Sequence, residues 1–177
     1  RLLPFIKEGD LARTKCDLDF LGLNHYTRKR ILAADNKRGY REDGPPAGAP
    51  VSEMGLEIWP EGIGRMLTAM SETYPKLDLY ITENGGAFPD RPDINNHGQD
   101  KDRIDYLAEN LLACLDAMAR GVNLKGYFPR SVLDNFEWTQ GYTKRFGLVR
   151  VDYATQERTP KASYNWYRDV VQSRRLK

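Results

Sequence analysis

Three stretches of this 177-residue chain end in side chains able to do chemistry. Leu77 to Gly86 reads Leu-Asp-Leu-Tyr-Ile-Thr-Glu-Asn-Gly-Gly, so an apolar run delivers Glu83 and Asn84. Asp19 to Asn24 delivers Asn24, His25 and Tyr26, and Leu124 to Leu133 leads into Asn135, Glu137 and Trp138. Carboxylates and amides hydrogen-bond hydroxyl groups in both directions. Indole and phenol rings cover the apolar faces of a polyhydroxylated ring. Such a set suits a sugar site. Plainer readings stand beside it. Glu83 before Asn84-Gly85 also suits the start of a turn. Tyr26 also suits a core position, and Glu137-Trp138 an exposed loop. His25 alternates away from Asn24 and Tyr26 along a strand and reads as packing.

The elements that must position these residues follow from the hydrophobic pattern. The three apolar runs lack clean alternation, as strands buried on both faces do. Gly85 and Gly86 then release the backbone into a loop. Pro60 and Glu61 open a helix carrying Ile63, Met66, Leu67, Met70 and Tyr74, which Pro75 stops. After the strand of Glu83, a polar loop runs to about Gln99. Asp100 or Asp102 caps a second helix with an Ile104, Leu107, Leu111, Leu115, Met118 stripe, ended by Gly121. Thr159-Pro160 starts a last helix carrying Tyr164, Tyr167 and Val170 or Val171. A short β excursion covers Leu148 to Tyr153. Residues 1 to 15 read as the end of a helix or loop. Arg28 to Trp59 shows no sustained period and reads as one long connection.

Strand, helix, strand, helix, strand, helix predicts an α/β fold with a parallel sheet covered by helices. The pattern leaves both an open sheet and the arc of a barrel standing. The length favours one domain with a real core. A hydrophobic fraction of 40% and a charged fraction of 29% are those of a globular protein in water. The net charge of +2 names no partner, and nucleic-acid binding would need a concentrated basic face, so no nucleic-acid partner is expected. The tight cluster Arg28-Lys29-Arg30 reads as a solvated loop edge. No run approaches the ~20 apolar residues of a membrane span, so no membrane partner is expected. Cys16 and Cys114 lack metal spacing and suit a reducing compartment, hence a cytoplasmic location, with Cys114 a small core residue. No metal-ligand cluster or phosphate-cradling glycine motif is read, so no metal and no cofactor are expected. A start at Arg1 rather than Met suggests an internal beginning.

Ile81-Thr82-Glu83-Asn84-Gly85 resembles the nucleophile motif of family 1 glycoside hydrolases, the β-glucosidase family. Asp19 to Tyr26 resembles that family's strand-six motif. Leu133-Asp134-Asn135-Phe136-Glu137-Trp138, with Gly141-Tyr142 and Lys144 to Leu148, resembles its strand-eight loop. Val151-Asp152-Tyr153 and Arg158-Thr159-Pro160-Lys161 also fit.

The resemblance implies the C-terminal portion, strands six to eight, of a TIM (β/α)8 barrel, with residues 1–177 as a single incomplete domain. It implies retaining hydrolysis of β-D-glucosides or cello-oligosaccharides, with galactosides or fucosides as the variant substrates. Glu83 would be the nucleophile, Tyr26 and Asn24 would orient it, and Glu137, Trp138 and Phe146 would bind the sugar. The Glu137-Trp138 pair implies a neutral sugar. The family's acid/base motif, Thr-x-Asn-Glu-Pro, is absent, so the implied partner is an N-terminal half of the same enzyme. The alternative is a non-catalytic partial barrel that self-associates or binds sugar weakly. Two positions depart from the family: Pro129-Arg130-Ser131 replaces Val-Trp-Ser, and Leu56 follows Gly55 where Trp is usual.

Overall fold

The computed structural model describes residues 4–89 and 99–176, so the start of the N-terminal stretch and most of the polar loop after Gly86 lie outside the described residues. In chain order the elements are α1 (Asp10–Thr14), β1 (Phe20–His25), β2 (Arg30–Ala33), β3 (Tyr40–Asp43), α2 (Glu61–Thr73) and β4 (Asp78–Asn84). They continue with α3 (Lys101–Ala119), β5 (Leu124–Pro129), β6 (Val149–Val151), β7 (Arg158–Pro160) and α4 (Ala162–Ser173). Parallel pairing in the order β1-β4-β5 makes one three-stranded sheet. β2–β3 and β6–β7 are separate antiparallel pairs.

The apolar runs form strands because helices cover one side of them. Leu79 and Ile81 are fully buried against Ile63 and Leu67 of α2 and Cys114 and Ala117 of α3. Leu21 and Leu23 pack on the same cluster. A second cluster joins Phe88, Tyr106, Leu107 and Leu148 to Tyr164, Trp166 and Tyr167 of α4. The face away from the helices is open. Phe20 is 53% exposed and Phe128 55%, and Phe20 meets Tyr80 edge-on at 5.3 Å.

One irregularity decides where the strand ends point. The register runs Leu23↔Ile81, then Asn24↔Glu83, which leaves Thr82 as an extra residue in β4. Strict alternation would put Glu83 on the helix side with Leu79 and Ile81. The bulge reverses that phase. Glu83 turns away from the helices, and Asn84 takes the helix-side place, fully buried.

Several sequence expectations need correction. The stretch from Arg28 to Trp59 contains the β2–β3 hairpin, whose pairing leaves Ile31 and Tyr40 exposed and so shows no clean pattern. α3 buries Arg103, Tyr106, Leu107, Asn110, Cys114 and Ala117; of the expected stripe, Leu115 and Met118 are exposed. Polar Arg103 and Asn110 occupy core positions there, so hydrophobicity alone picks the wrong face. Asp100 precedes α3 without capping it, since its carboxylate instead accepts from Arg103 Nε (2.9 Å), the Ser163 backbone N–H (2.9 Å) and Ser163 Oγ (2.5 Å). Thr159 and Pro160 lie in β7, and the last helix starts at Ala162. The third strand ends at Pro129, short of Leu133.

Gly121 does end α3. At φ +97° its N–H donates to the Met118 carbonyl (2.9 Å), and Val122 N–H donates to the Ala117 carbonyl (3.1 Å). That pair of bonds is the Schellman closure, which a left-handed glycine permits. Cys114 is buried and free, as is the exposed Cys16 in its lack of a disulfide. Among the described residues, no helix is long and apolar enough to cross a membrane.

Candidate active site

Glu83 stands at the sheet's C-terminal edge, where β4 gives way to Gly85. The Arg130 backbone N–H donates to the Asn84 carbonyl at 2.9 Å, so β5 leads its next residue in beside the strand end. Gly85 is required for this approach: a Cβ there would sit 2.2 Å from the Arg130 carbonyl oxygen.

The Tyr26 hydroxyl donates a short hydrogen bond to Glu83 Oε2. Burial first, and then that bond, raise the Tyr26 phenol above its ordinary value, with Arg130 pulling the other way. Tyr26 therefore keeps its proton and serves Glu83 as a donor. The Tyr26 ring meets Phe146 edge-on at 6.4 Å.

Glu137 takes a hydrogen bond from the Arg130 guanidinium at 2.6 Å. That guanidinium lies 4.8 Å from the centre of the Phe146 ring and 6.0 Å from that of Tyr26. Burial is the largest single influence and works against the Arg130 cation, but the hydrogen bonds and charges of Glu137 and Tyr26 together outweigh it and hold its pKa above the ordinary value. Tyr26, Met54, Leu56, Glu83, Arg130, Glu137, Trp138 and Phe146 line one cavity of about 440 Å³.

The loop bearing Glu137 and Trp138 is held from below. Asp134, fully buried in its side chain, accepts from Lys161 Nζ (3.0 Å), Arg145 (2.7 Å) and the Gly147 N–H (2.9 Å). Lys161 is also fully buried, and its backbone N–H reaches the Leu148 carbonyl at 2.9 Å. Glu137 N–H closes on the Gly141 carbonyl at 2.7 Å. Within this turn Trp138 adopts φ +42°, a conformation that L side chains disfavour. Such strain persists where surrounding contacts impose it, and it gathers at functional sites.

Of the residues singled out from sequence, Glu83, Tyr26, Glu137, Trp138 and Phe146 come together in the cavity, with Trp138 78% exposed. Three others do not line it. Asn24 pairs with Glu83 across the bulge and shares its face, but it is exposed and accepts from Thr82 Oγ1 at 2.7 Å, so its described side-chain bond goes to the extra residue of the bulge rather than to Glu83. Asn84 donates to the His25 carbonyl (2.8 Å) and the Tyr106 hydroxyl (3.1 Å), inside the helix-side layer. Asn135 donates to Ser131 Oγ (2.9 Å) and the Leu133 carbonyl (3.0 Å), bracing its own loop. His25 is buried, and burial lowers its pKa. Sequence reading missed Met54 and the Asp134–Lys161–Arg145 clasp. Asp134 and Lys161 lie 27 residues apart with no local pattern linking them.

The profile of glycosyl hydrolase family 1 matches residues 1–176. Beta-glucosidase A of Thermotoga maritima is 41% identical over 174 residues, covering 98% of this chain and 39% of that protein. The bifunctional beta-D-glucosidase/beta-D-fucosidase of Bifidobacterium breve is 38% identical over 183 residues, covering 94% of this chain and 40% of that protein. The solved beta-glucosidase of Thermotoga maritima in complex with deoxynojirimycin superposes with a TM-score of 0.87 at 42% identity, over 91% of this chain and 36% of that one. The chain thus spans about two fifths of the curated relatives it matches.

Proposed function

From a chain that belongs to glycosyl hydrolase family 1, a family of O-glycosyl hydrolases, we propose that this polypeptide supplies the nucleophile side of a retaining β-glucosidase site. Its sheet would be strands six to eight of a (β/α)8 barrel, which places Glu83 at the catalytic end of a strand. The observation that carries this reading is Glu83 held, among the described residues, by one neutral donor, Tyr26, in a cavity shared with Glu137, Trp138 and Phe146.

In the proposed reaction a Glu83 oxygen attacks the anomeric carbon while the bond to the leaving oxygen breaks. A second carboxylic acid gives its proton to that oxygen. The same group then takes a proton from water, which displaces Glu83 and restores both carboxyls. Retaining enzymes hold the two groups about 5–5.5 Å apart. Glu137 is assigned to sugar hydroxyls, Trp138 to the same sugar and Phe146 to the pocket wall. The acid/base group is assigned to the part of the barrel that this chain does not span. The substrate is a terminal β-D-glucosyl residue of a neutral glucoside, with galactosides and fucosides as the variants to be tried.

Alone, the chain should release negligible glucose from cellobiose, because general acid–base help is worth about 10²–10⁴-fold and the remaining sugar contacts are missing too. Mixed with a separately made N-terminal portion, it should release glucose; an inactive mixture would argue for a dead site. In that assembled form, an activated 2-fluoro glycoside should add one glycosyl group to the peptide holding Ile81 to Gly86, seen by mass spectrometry. Glu83→Gln should abolish the adduct. An adduct undiminished in the variant would remove Glu83 from the role.

The open sheet face favours a second reading. With Phe20 and Phe128 both more than half exposed, the chain has apolar surface that self-association would cover. Sedimentation of the isolated chain as a monomer would count against it.

A further inference from the structure

We infer that Arg130 sets the charge class of the sugar this pocket takes, favouring neutral glycones by weakening the attraction of cationic ones. The inference rests on the reading of the cavity as a sugar site. Arg130 is placed by its backbone bond to Asn84 and by the close approach that Gly85 allows. Its side chain is only 19% exposed and that of Glu137 only 10%, so the 2.6 Å pair lies largely out of water. The guanidinium also lies 4.8 Å from the Phe146 ring centre, which fixes its plane on one side.

A guanidinium stays charged at any working pH, and its donors match a carboxylate. Among the described residues, Glu83, Glu137 and Arg130 are the formally charged side chains that line the cavity, a formal sum of one negative charge in place of two. A positively charged glycone analogue meets a fixed cation beside the carboxylates it would otherwise pair with. An anionic glycone meets Glu137 already bound to the cation that would receive it. A neutral hydroxyl has no such conflict, because it accepts from Arg130 and donates to Glu137 at once.

The test uses this chain, isotope-labelled, assembled with a separately made N-terminal portion, since the remaining sugar contacts are assigned there and protein-observed NMR detects weak binding. The Trp138 indole N–H is the reporter, and the ligands are methyl β-D-glucopyranoside and a polyhydroxylated piperidine of glucose configuration, protonated at neutral pH. Arg130→Gln removes the charge but keeps an N–H donor for Glu137; Arg130→Lys keeps the charge. In Arg130→Gln the ratio of cationic to neutral affinity should rise about tenfold or more, as expected for removing a like charge from a partly desolvated pocket. In Arg130→Lys it should stay within about threefold of wild type on the same ground. A ratio unmoved in Arg130→Gln, or moved equally in both variants, overturns the assignment while leaving the sugar site intact. Trp138 unmoved by either ligand in all three proteins overturns the assignment together with the sugar-site reading beneath it.

Discussion

Asp134 and Glu83 are carboxylates that stand close to the C-terminal edge of the same sheet, and their surroundings are opposite. Asp134 has no exposed side-chain surface and sits between Lys161 and Arg145, with the Gly147 and Val151 N–H groups also aimed at it. Its lone pairs are occupied by fixed donors, two of them cationic. Glu83 is half-buried, and its described donor is the neutral Tyr26 hydroxyl. The cation nearest the cavity, Arg130, is turned to Glu137 instead. A carboxylate saturated by cations has no electron pair to offer a carbon atom. One held by a single neutral donor is aimed and still able to attack. The contrast separates a carboxylate that holds a loop from one that could do chemistry, a distinction residue type alone does not make.

The matched change from carboxylate to amide probes this contrast most directly. Asp134→Asn leaves the buried Lys161 ammonium facing a neutral group. Breaking a buried pair in this way costs roughly 3–5 kcal/mol. Chemical denaturation should register a loss of about that size, and a loss under about 1 kcal/mol would mean the clasp is not the tight cluster its geometry describes. Glu83→Gln should behave differently. Its amide oxygen still accepts from Tyr26, so stability should change by about 1 kcal/mol or less. A loss as large as that of Asp134→Asn would erase the distinction.

Tyr26→Phe sharpens the same comparison at a smaller scale. It removes the one described donor to Glu83 and leaves the ring against Phe146. Stability should fall by about 1 kcal/mol, the ordinary net worth of a hydrogen bond. In the assembled enzyme, Glu83 trapping by a 2-fluoro glycoside should slow rather than vanish, because the nucleophile loses its orientation and keeps its chemistry. Trapping at an unchanged rate would mean that Tyr26 does not aim Glu83.

How much of this was legible in the sequence follows from how local each feature is. The three strands and the helices after them were legible because Leu79, Ile81, Ile63 and Leu67 carry their burial in their own hydrophobicity. The end of α3 was legible because Gly121 suits its conformation by itself. The direction of Glu83 was not, since it depends on the extra residue Thr82, and register is a property of two strands together. The bond between Thr82 and Asn24 was not legible for the same reason. The inward face of α3 was misread because Arg103 and Asn110 are buried polar groups satisfied in part from outside the helix, Arg103 by neighbouring Asp100 and the Gly86 carbonyl 17 residues back, and Asn110 beside Asn84, 26 residues back. The β2–β3 hairpin escaped because neither strand buries a face for a period to mark.

His25 offers the smallest and most selective test, because it is a buried polar group of a third kind. Its Nδ1 has no hydrogen-bond partner among the described residues, and its ring fills the space beside Gly62, where a Cβ would lie 2.8 Å from Nε2. Burial lowers its pKa below the ordinary value of 6.5. The unfolded chain therefore takes up this proton at a higher pH than the folded chain does. Stability from neutral His25 is complete above the unfolded value and is lost as the pH falls from there through the lower folded value. His25→Gln cannot take up that proton. Its unfolding free energy should fall less steeply than that of wild type as the pH is lowered past 6.5. The chain's other histidine, His97, is common to both proteins, so the difference in slope belongs to His25. Parallel curves would mean that His25 is protonated equally in both states, and that the ring is not sealed from water as its burial beside α2 describes.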